Sequence, residues 1–506
     1  EVAKKRFAFE EIFHIQLQNE LRKAEYKREK AFEIDVSPAL IESFTKRFPF
    51  PLTESQQKSI ADIINDFKRG YPMSRLLEGD VGSGKTAVAA VTAYSAISTR
   101  PKGQNFGTLQ VAYMAPTEIL AKQHFESFIQ YFSHLPVSIG LITGNGCRKF
   151  PSKINPSGWT DISRSQFLKW VKSGEISIVV GTHALIQKSV EFKHLAYVVI
   201  DEQHRFGTAQ RQKLTKKQKL VPHLLSMTAT PIPRTLALTL YGDLDLSLLD
   251  QMPLGRKKVI TQIVHGAHRE KTYEAIRKEL EAGRQAYVIC PRIDEPDPDK
   301  AATLITKSVK TEAKRLSKDV FPGYRIEIMH SKMKPAEKDK VMEKFAKHEI
   351  DILVSTSVVE VGVNVPNASV IIIEGGERFG LSQLHQLRGR VIRGTHQPYC
   401  YVFTSDTSSK QSDTTVERLR ALEQAKNGFE LSELDLKMRG AGELYGNKQW
   451  GISDIAMNAI QNIKMVEAAR SEAQEMVREF PTISKLEQKY PLLAKSISEK
   501  KEIHFE

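Results

Sequence analysis

The stretch 79–86, GDVGSGKT, constrains the fold more than any other part of the chain. The pattern G-x-x-x-x-G-K-[ST] works only where a strand ends and a helix begins. Here the apolar RLLE runs into it and AVAAV follows it. Gly79, Gly82 and Gly84, with Ser83 between them, let backbone N–H groups wrap phosphates. The helix N-terminus adds the positive end of its dipole. Lys85 is then placed to reach the β- and γ-phosphates, and Thr86 a magnesium ion.

A strand–loop–helix unit of this kind belongs to a parallel sheet, and the chain carries the rest of one. From about 75 to 250, short apolar stretches (SRLLEGD, LQVAYMAP, ISIVVGTH, AYVVIDE, LLSMTAT) alternate with helical ones. A second series follows: QAYVICP, RIEIMHS, IDILVSTS, SVIIIEG and PYCYVFT. Such alternation predicts the α/β class, with parallel sheets covered by helices. We divide the chain into a linker helix and connection (1–50), two α/β domains (51–250 and 251–410) and a helical region (411–506). Residues 1–32 read as one helix, with Phe9, Ile12, Phe13, Leu17 and Leu21 in a stripe. Pro49 and Pro51 break the pattern, and Thr53 is a good N-cap for a helix from Glu54 toward Phe67. The stretch 145–161 reads as a surface loop.

In a P-loop protein the stretch YVVIDEQHRFG (197–207) gains a meaning that it lacks alone. A carboxylate pair beside a histidine suits zinc, acid–base work or magnesium next to a phosphate. Zinc would need further His or Cys ligands at matching spacing, and none is visible. The three cysteines, Cys147, Cys290 and Cys400, are far apart and form no CxxC pair. An acid at the end of a second strand completes the magnesium site of a P-loop enzyme. We therefore assign Asp201 to magnesium and Glu202 to polarising the attacking water, and read His204 as a coupling residue. The formal charge of +14 is a footprint for a polyanion. No apolar run reaches the ~20 residues of a membrane span, and no signal pattern opens the chain. Scattered thiols without a secretory signal predict the cytoplasm. The chain starts without Met inside a helical pattern, which we read as a piece of a longer protein.

The P-loop, DEQH, MTATP (227–231) and QLRGRVIR (386–393) occur in the order of the superfamily 2 helicases. MAPTEILAKQH, GTHALIQ, DEQHRFGTAQR, ATPIPRTLALTLYGDLDLSLLDQMPLGRKKV and DLKMRGAGELYGNKQWG narrow the likeness. Over nearly its whole length the chain resembles the RecG family of branched-DNA helicases. The resemblance implies two RecA-like domains that hydrolyse ATP with Mg2+. It implies branched and duplex DNA and single-stranded DNA-binding protein as partners, and a monomer. It matches Gln56 to the glutamine that reads adenine. It matches Thr117, Glu118, Thr143, Gly144, Thr182 and His183 to strand-end loops on the DNA backbone. Thr228 and Thr230 match the motif joining hydrolysis to domain movement, and Gln386, Arg390 and Arg393 the one facing the nucleotide. Arg439 and Gln449 match a helical hairpin that passes closure to the duplex.

Two positions depart from the pattern. Asn364 stands where the family has Asp. Ile392 stands where it has Gly, which would aim Arg393 differently if that site needs positive φ or packs tightly. The N-terminal wedge domain that splits forks is not among these residues, so poor unwinding of forks is expected. Two other readings stand beside this one: the motor of a transcription-repair coupling factor, which shares the hairpin, and a DNA-binding module whose ATPase is impaired.

Overall fold

The computed structural model describes residues 2–104, 106–202, 220–230, 232–240, 242–291, 308–330, 332–356, 365–392, 394–404, 413–445 and 459–499. The chain divides into two compact units. One comprises Glu1–Gly79, Ser83–Gln251 and Leu436–Glu506. The other comprises Asp80–Gly82 and Met252–Asp435.

The first unit is built on a sheet of nine strands. They are β1 (Ser74–Gly79), β2 (Gln110–Met114), β3 (Ile139–Thr143), β4 (Gly146–Phe150), β5 (Thr160–Ile162), β6 (Ile178–Gly181), β7 (Leu195–Ile200), β8 (His223–Thr228) and β9 (Asp245–Leu249). Their order is β5-β4-β3-β6-β2-β7-β8-β1-β9. From β3 to β9 every pairing is parallel. All six residues of β7 are buried, as a strand covered on both faces requires.

At the other edge β4 pairs antiparallel with β3, and β5 with β4. The stretch 145–161 is thus not a plain surface loop. Cys147 and Phe150, three residues apart on β4, are both buried, so this segment carries part of the core beyond a Gly turn.

Helix α1 (Val2–Tyr26) stops six residues short of the position 32 that its periodicity suggests. The reason lies in the backbone. Ala31 N–H and Ile34 N–H donate to Gly70 O and Phe67 O, so the chain leaves the helix to follow the end of the next core helix. Ile12, Leu17 and Leu21 are buried as expected, in two neighbouring clusters; half-buried Phe9 packs on the first and Phe13 on both. Both clusters are shared with the helix Ile463–Glu479, through Val466 and Ala469 in the first and Ala473 and Val477 in the second.

After α2 (Pro38–Thr45), helix α3 (Glu54–Phe67) begins with a reciprocal cap between Thr53 and Gln56. Helices α4 (Lys85–Ile97) and α5 (Glu118–Phe132) follow β1 and β2. The second unit holds a six-stranded sheet in which every pairing is parallel, packed around Val288, Val354, Val370 and Ile372. Among the described residues no helix is long and apolar enough to cross a membrane.

Candidate active site

In an open parallel sheet, ligands gather beyond the carboxyl ends of the strands. Strand β1 ends at Gly79, and Lys85 opens α4. Gly84, at φ +86°, turns the chain into the helix, and Gly82 also has positive φ, at +82°. Both conformations favour glycine. A Cβ on Gly79 would come 2.8 Å from Leu249 Cβ, so this glycine is required by close approach instead. Lys85 Nζ donates to Gly79 O at 2.7 Å and spans the loop. Among the described residues the Ser83 hydroxyl is buried with no hydrogen-bond partner. A buried orphan hydroxyl beside glycine amides suits a loop shaped for phosphate oxygens.

Gln56 is fully buried and reaches this loop. Its Oε1 accepts from Thr53 N at 2.9 Å, and its Nε2 donates to Ser83 O at 2.7 Å. The residue matched to adenine thus also ties the start of α3 to the phosphate loop. One amide hydrogen and one oxygen lone pair are left over by this inventory, which an adenine edge needs.

The acid pair lies two strands away, since only β8 separates β1 from β7. Asp201 stands directly past β7 and is buried. Glu202 turns away at φ +53°, an unusual value for a side chain other than Gly. Asp201 Oδ1 accepts from Glu202 N at 3.1 Å. Asp201 Oδ2 lies 2.8 Å from His124 Nε2, on α5. Burial pushes the Asp201 carboxyl up. The His124 hydrogen bond, the charges of His124 and Lys85, and the Glu202 N–H together outweigh it and hold the group below the usual carboxylate value. Behind His124, the Tyr113 hydroxyl of β2 lies 3.3 Å from Nδ1 and 3.5 Å from Nε2. Burial pushes the Tyr113 phenol far up, and it remains neutral.

Of the two residues assigned to magnesium, Thr86 stands in the first turn of α4 and Asp201 is held by His124 past the end of β7. An ionised carboxylate and a hydroxyl are hard oxygen donors of the kind magnesium takes, alongside substrate phosphates. Among the described residues no group of three or more His, Cys, Asp or Glu side chains could by itself hold a metal. The residues present fit a metal shared with a nucleotide.

The loops matched to DNA lie at the carboxyl ends of β2, β3 and β6, which are neighbours in the sheet. Thr117 caps α5, accepting from Leu120 N. Both oxygens of Glu118 are used: Oε1 accepts from Gly144 N at 2.9 Å, and Oε2 from Asn145 Nδ2 at 2.6 Å. Glu118 thus shapes the Thr143–Gly144 loop. Thr182 is buried and His183 exposed at the end of β6. Beyond β8, the Thr228 and Thr230 hydroxyls lie 2.7 Å apart.

In the second unit Gln386 is half-buried on the helix Leu381–Arg388, and Arg390 is buried in the turn after it. Ile392 is buried at φ −77°, in the right-handed region. The objection that this position needs positive φ therefore falls. Arg439 lies in the helix Gly428–Tyr445. His204, Asn364, Arg393 and Gln449 lie outside the described residues.

Sequence reasoning missed Tyr113 and His124. Their signal was present: a polar aromatic inside the buried strand QVAYM, and a histidine closing MAPTEILAKQH seven positions after the cap Thr117. Glu78 was missed too. It is fully buried at the end of β1, and its Oε1 accepts from Ile232 N at 2.6 Å.

Comparison with known proteins agrees with this geometry. The DEAD/DEAH box helicase model matches residues 53–239, and the helicase conserved C-terminal domain model matches residues 267–395. The ATP-dependent DNA helicase RecG of Aquifex aeolicus is 42% identical, over 99% of this chain and 60% of its own. RecG of Bacillus subtilis is 43% identical, over 94% of this chain and 66% of its own. Among solved structures, RecG bound to a three-way DNA junction superposes with a TM-score of 0.73 at 36% identity, covering 93% of this chain and 57% of that one. The chain thus spans between about half and two thirds of the relatives it matches.

Proposed function

We propose that this chain, which belongs to the RecG family of ATP-dependent DNA helicases, is a motor that couples ATP hydrolysis to movement on duplex DNA and to remodelling of branched DNA such as stalled forks and Holliday junctions. The identity to RecG along nearly the whole chain favours this over the motor of a transcription-repair coupling factor. The observation that carries the hydrolytic reading is the meeting of the phosphate loop with an ionised, buried Asp201 two strands away.

ATP with magnesium supplies the electrophilic phosphoryl group and spreads its charge. Lys85 neutralises phosphate oxygens once it leaves Gly79 O. Thr86 and Asp201 would hold the metal, and Glu202 would orient and polarise water. Gln56 takes the adenine edge with the capacity its two internal bonds leave. Gln386, Arg390 and Arg393 follow the family pattern in stabilising charge on the transferring group. Thr117, Thr143, Gly144, Thr182 and His183 contact the DNA backbone, and Glu118 keeps the Thr143–Gly144 loop in shape. Thr228 and Thr230 couple hydrolysis to domain movement, as does His204, while Arg439 and Gln449 pass that movement to the duplex. We assign residues 51–250 and 251–410 to the two motor domains, 1–50 to the linker helix and 411–506 to the hairpin and C-terminal helices. A monomer in the cytoplasm, partnered by single-stranded DNA-binding protein, fits the same reading. The three free, buried cysteines are compatible with it.

The test is phosphate release with and without duplex or branched DNA. The unaltered chain should hydrolyse ATP faster with DNA. Lys85→Ala should abolish turnover, and so should Glu202→Gln, which keeps nucleotide bound because Asp201 is intact. A Glu202→Gln protein that turns over like the unaltered one refutes the role given to that acid.

A further inference from the structure

Neither the P-loop nor the acid pair explains why a histidine from α5 is spent on Asp201. His124 is buried, as are its two polar neighbours Tyr113 and Asp201. Its ring packs against the Tyr113 ring at a centroid distance of 4.7 Å. Nε2 faces Asp201 Oδ2 at 2.8 Å. The Tyr113 hydroxyl lies 3.3 Å from Nδ1 and 3.5 Å from Nε2.

A carboxylate oxygen only accepts, so His124 Nε2–H donates to Asp201 Oδ2. The Asp201 carboxylate keeps lone pairs of the kind a hard cation takes. The bond joins α5 to the end of β7, so both elements must be in register before the oxygen is presented. An apolar residue at 124 would leave Asp201 Oδ2 without its partner in a buried setting, where the carboxylate has few other ways to fix its rotamer.

We propose that His124 is the positioning residue of the metal site: its hydrogen bond fixes Asp201 Oδ2 in the rotamer that presents the carboxylate to a divalent cation. This rests on the reading of Thr86 and Asp201 as metal ligands. Outer partners of metal ligands generally matter in this way, and their loss costs about 10–100-fold in metal affinity.

The experiment reads metal binding apart from turnover. Mn2+ replaces Mg2+ as a paramagnetic probe, and its affinity for the protein with ADP is measured by electron paramagnetic resonance. The proteins are the unaltered chain, His124→Ala, His124→Gln and Tyr113→Phe. Binding of fluorescent ADP without metal and the thermal unfolding midpoint are followed alongside. His124→Ala should weaken Mn2+ binding by at least about tenfold while metal-free ADP binding stays in place. His124→Gln keeps a donor near the Nε2 position and should recover most of the loss. Tyr113→Phe keeps the ring and should cause a smaller loss. In steady state His124→Ala should lower kcat with little change in KM for ATP. Equal Mn2+ affinity in His124→Ala and the unaltered chain overturns the inference. So does an equal loss in His124→Ala and His124→Gln together with lost metal-free ADP binding, which would mark a packing role. If the unaltered chain binds ADP but takes up no Mn2+, the metal reading itself fails, and this inference with it.

Discussion

Glu78 offers a direct test of the physics beside the phosphate loop. Its carboxyl is fully buried, with Oε1 accepting from Ile232 N at 2.6 Å and Oε2 without a hydrogen-bond partner among the described residues. Burial raises it from the ordinary 4.5 to about 7, against the opposing pull of the Ile232 N–H and the Lys85 charge. Between those two values the folded protein holds a proton that the unfolded chain has released. Stability from this group is therefore complete below the unfolded value of 4.5 and is lost as pH rises through about 7. The gap corresponds to about 3 kcal/mol. Glu78→Gln keeps an oxygen to accept from Ile232 N and removes the ionisation. It should leave stability near that of the unaltered chain at about pH 5 and raise it by roughly 2–3 kcal/mol at about pH 8. Urea unfolding followed by fluorescence of Trp159 and Trp170, both in the first unit, reads the change. If Glu78→Gln keeps the pH slope of the unaltered chain over this range, or is less stable at about pH 8, the buried-carboxyl argument is wrong.

Two further predictions follow from other parts of the molecule. Ile392→Gly removes a buried side chain at a position whose φ of −77° suits any residue. It should destabilise the second unit by about 3 kcal/mol and should not raise DNA-stimulated turnover; calorimetry and phosphate release on one preparation check both. Binding to duplex DNA should be indifferent to sequence, and its affinity should fall with salt at a log–log slope of about −0.9 for each phosphate neutralised; a flat salt response would remove the backbone-contact reading.

The parallel sheets were legible because a strand buried on both faces writes itself as a continuous apolar run, as AYVVI and SVIII do. The P-loop was legible because its glycines answer local backbone demands that no distant contact can relieve. Gly84 sits at positive φ, and Gly79 is pressed against Leu249. The edge hairpin was not legible. Pro and Gly in 145–161 signal turns, and the sequence does not say that Cys147 and Phe150 would find a core across β3. The end of α1 was misplaced for a similar reason: the carbonyls of Phe67 and Gly70 that draw the chain away are far along the sequence.

The same distinction separates the site residues that were found from those that were missed. Asp201 and Lys85 belong to patterns that are local, so their chemistry can be read where they stand. Tyr113, His124 and Glu78 act on residues distant in the chain, on His124, Asp201 and Ile232 respectively, and their meaning exists only once β2, α5 and β8 are neighbours of the P-loop strand and the acid strand. Ile392 shows the converse. A residue type that departs from a family pattern suggests backbone strain, yet strain is a property of φ, and at φ −77° a β-branched residue meets none. A departure from a pattern thus raises a question about geometry, and only the geometry answers it.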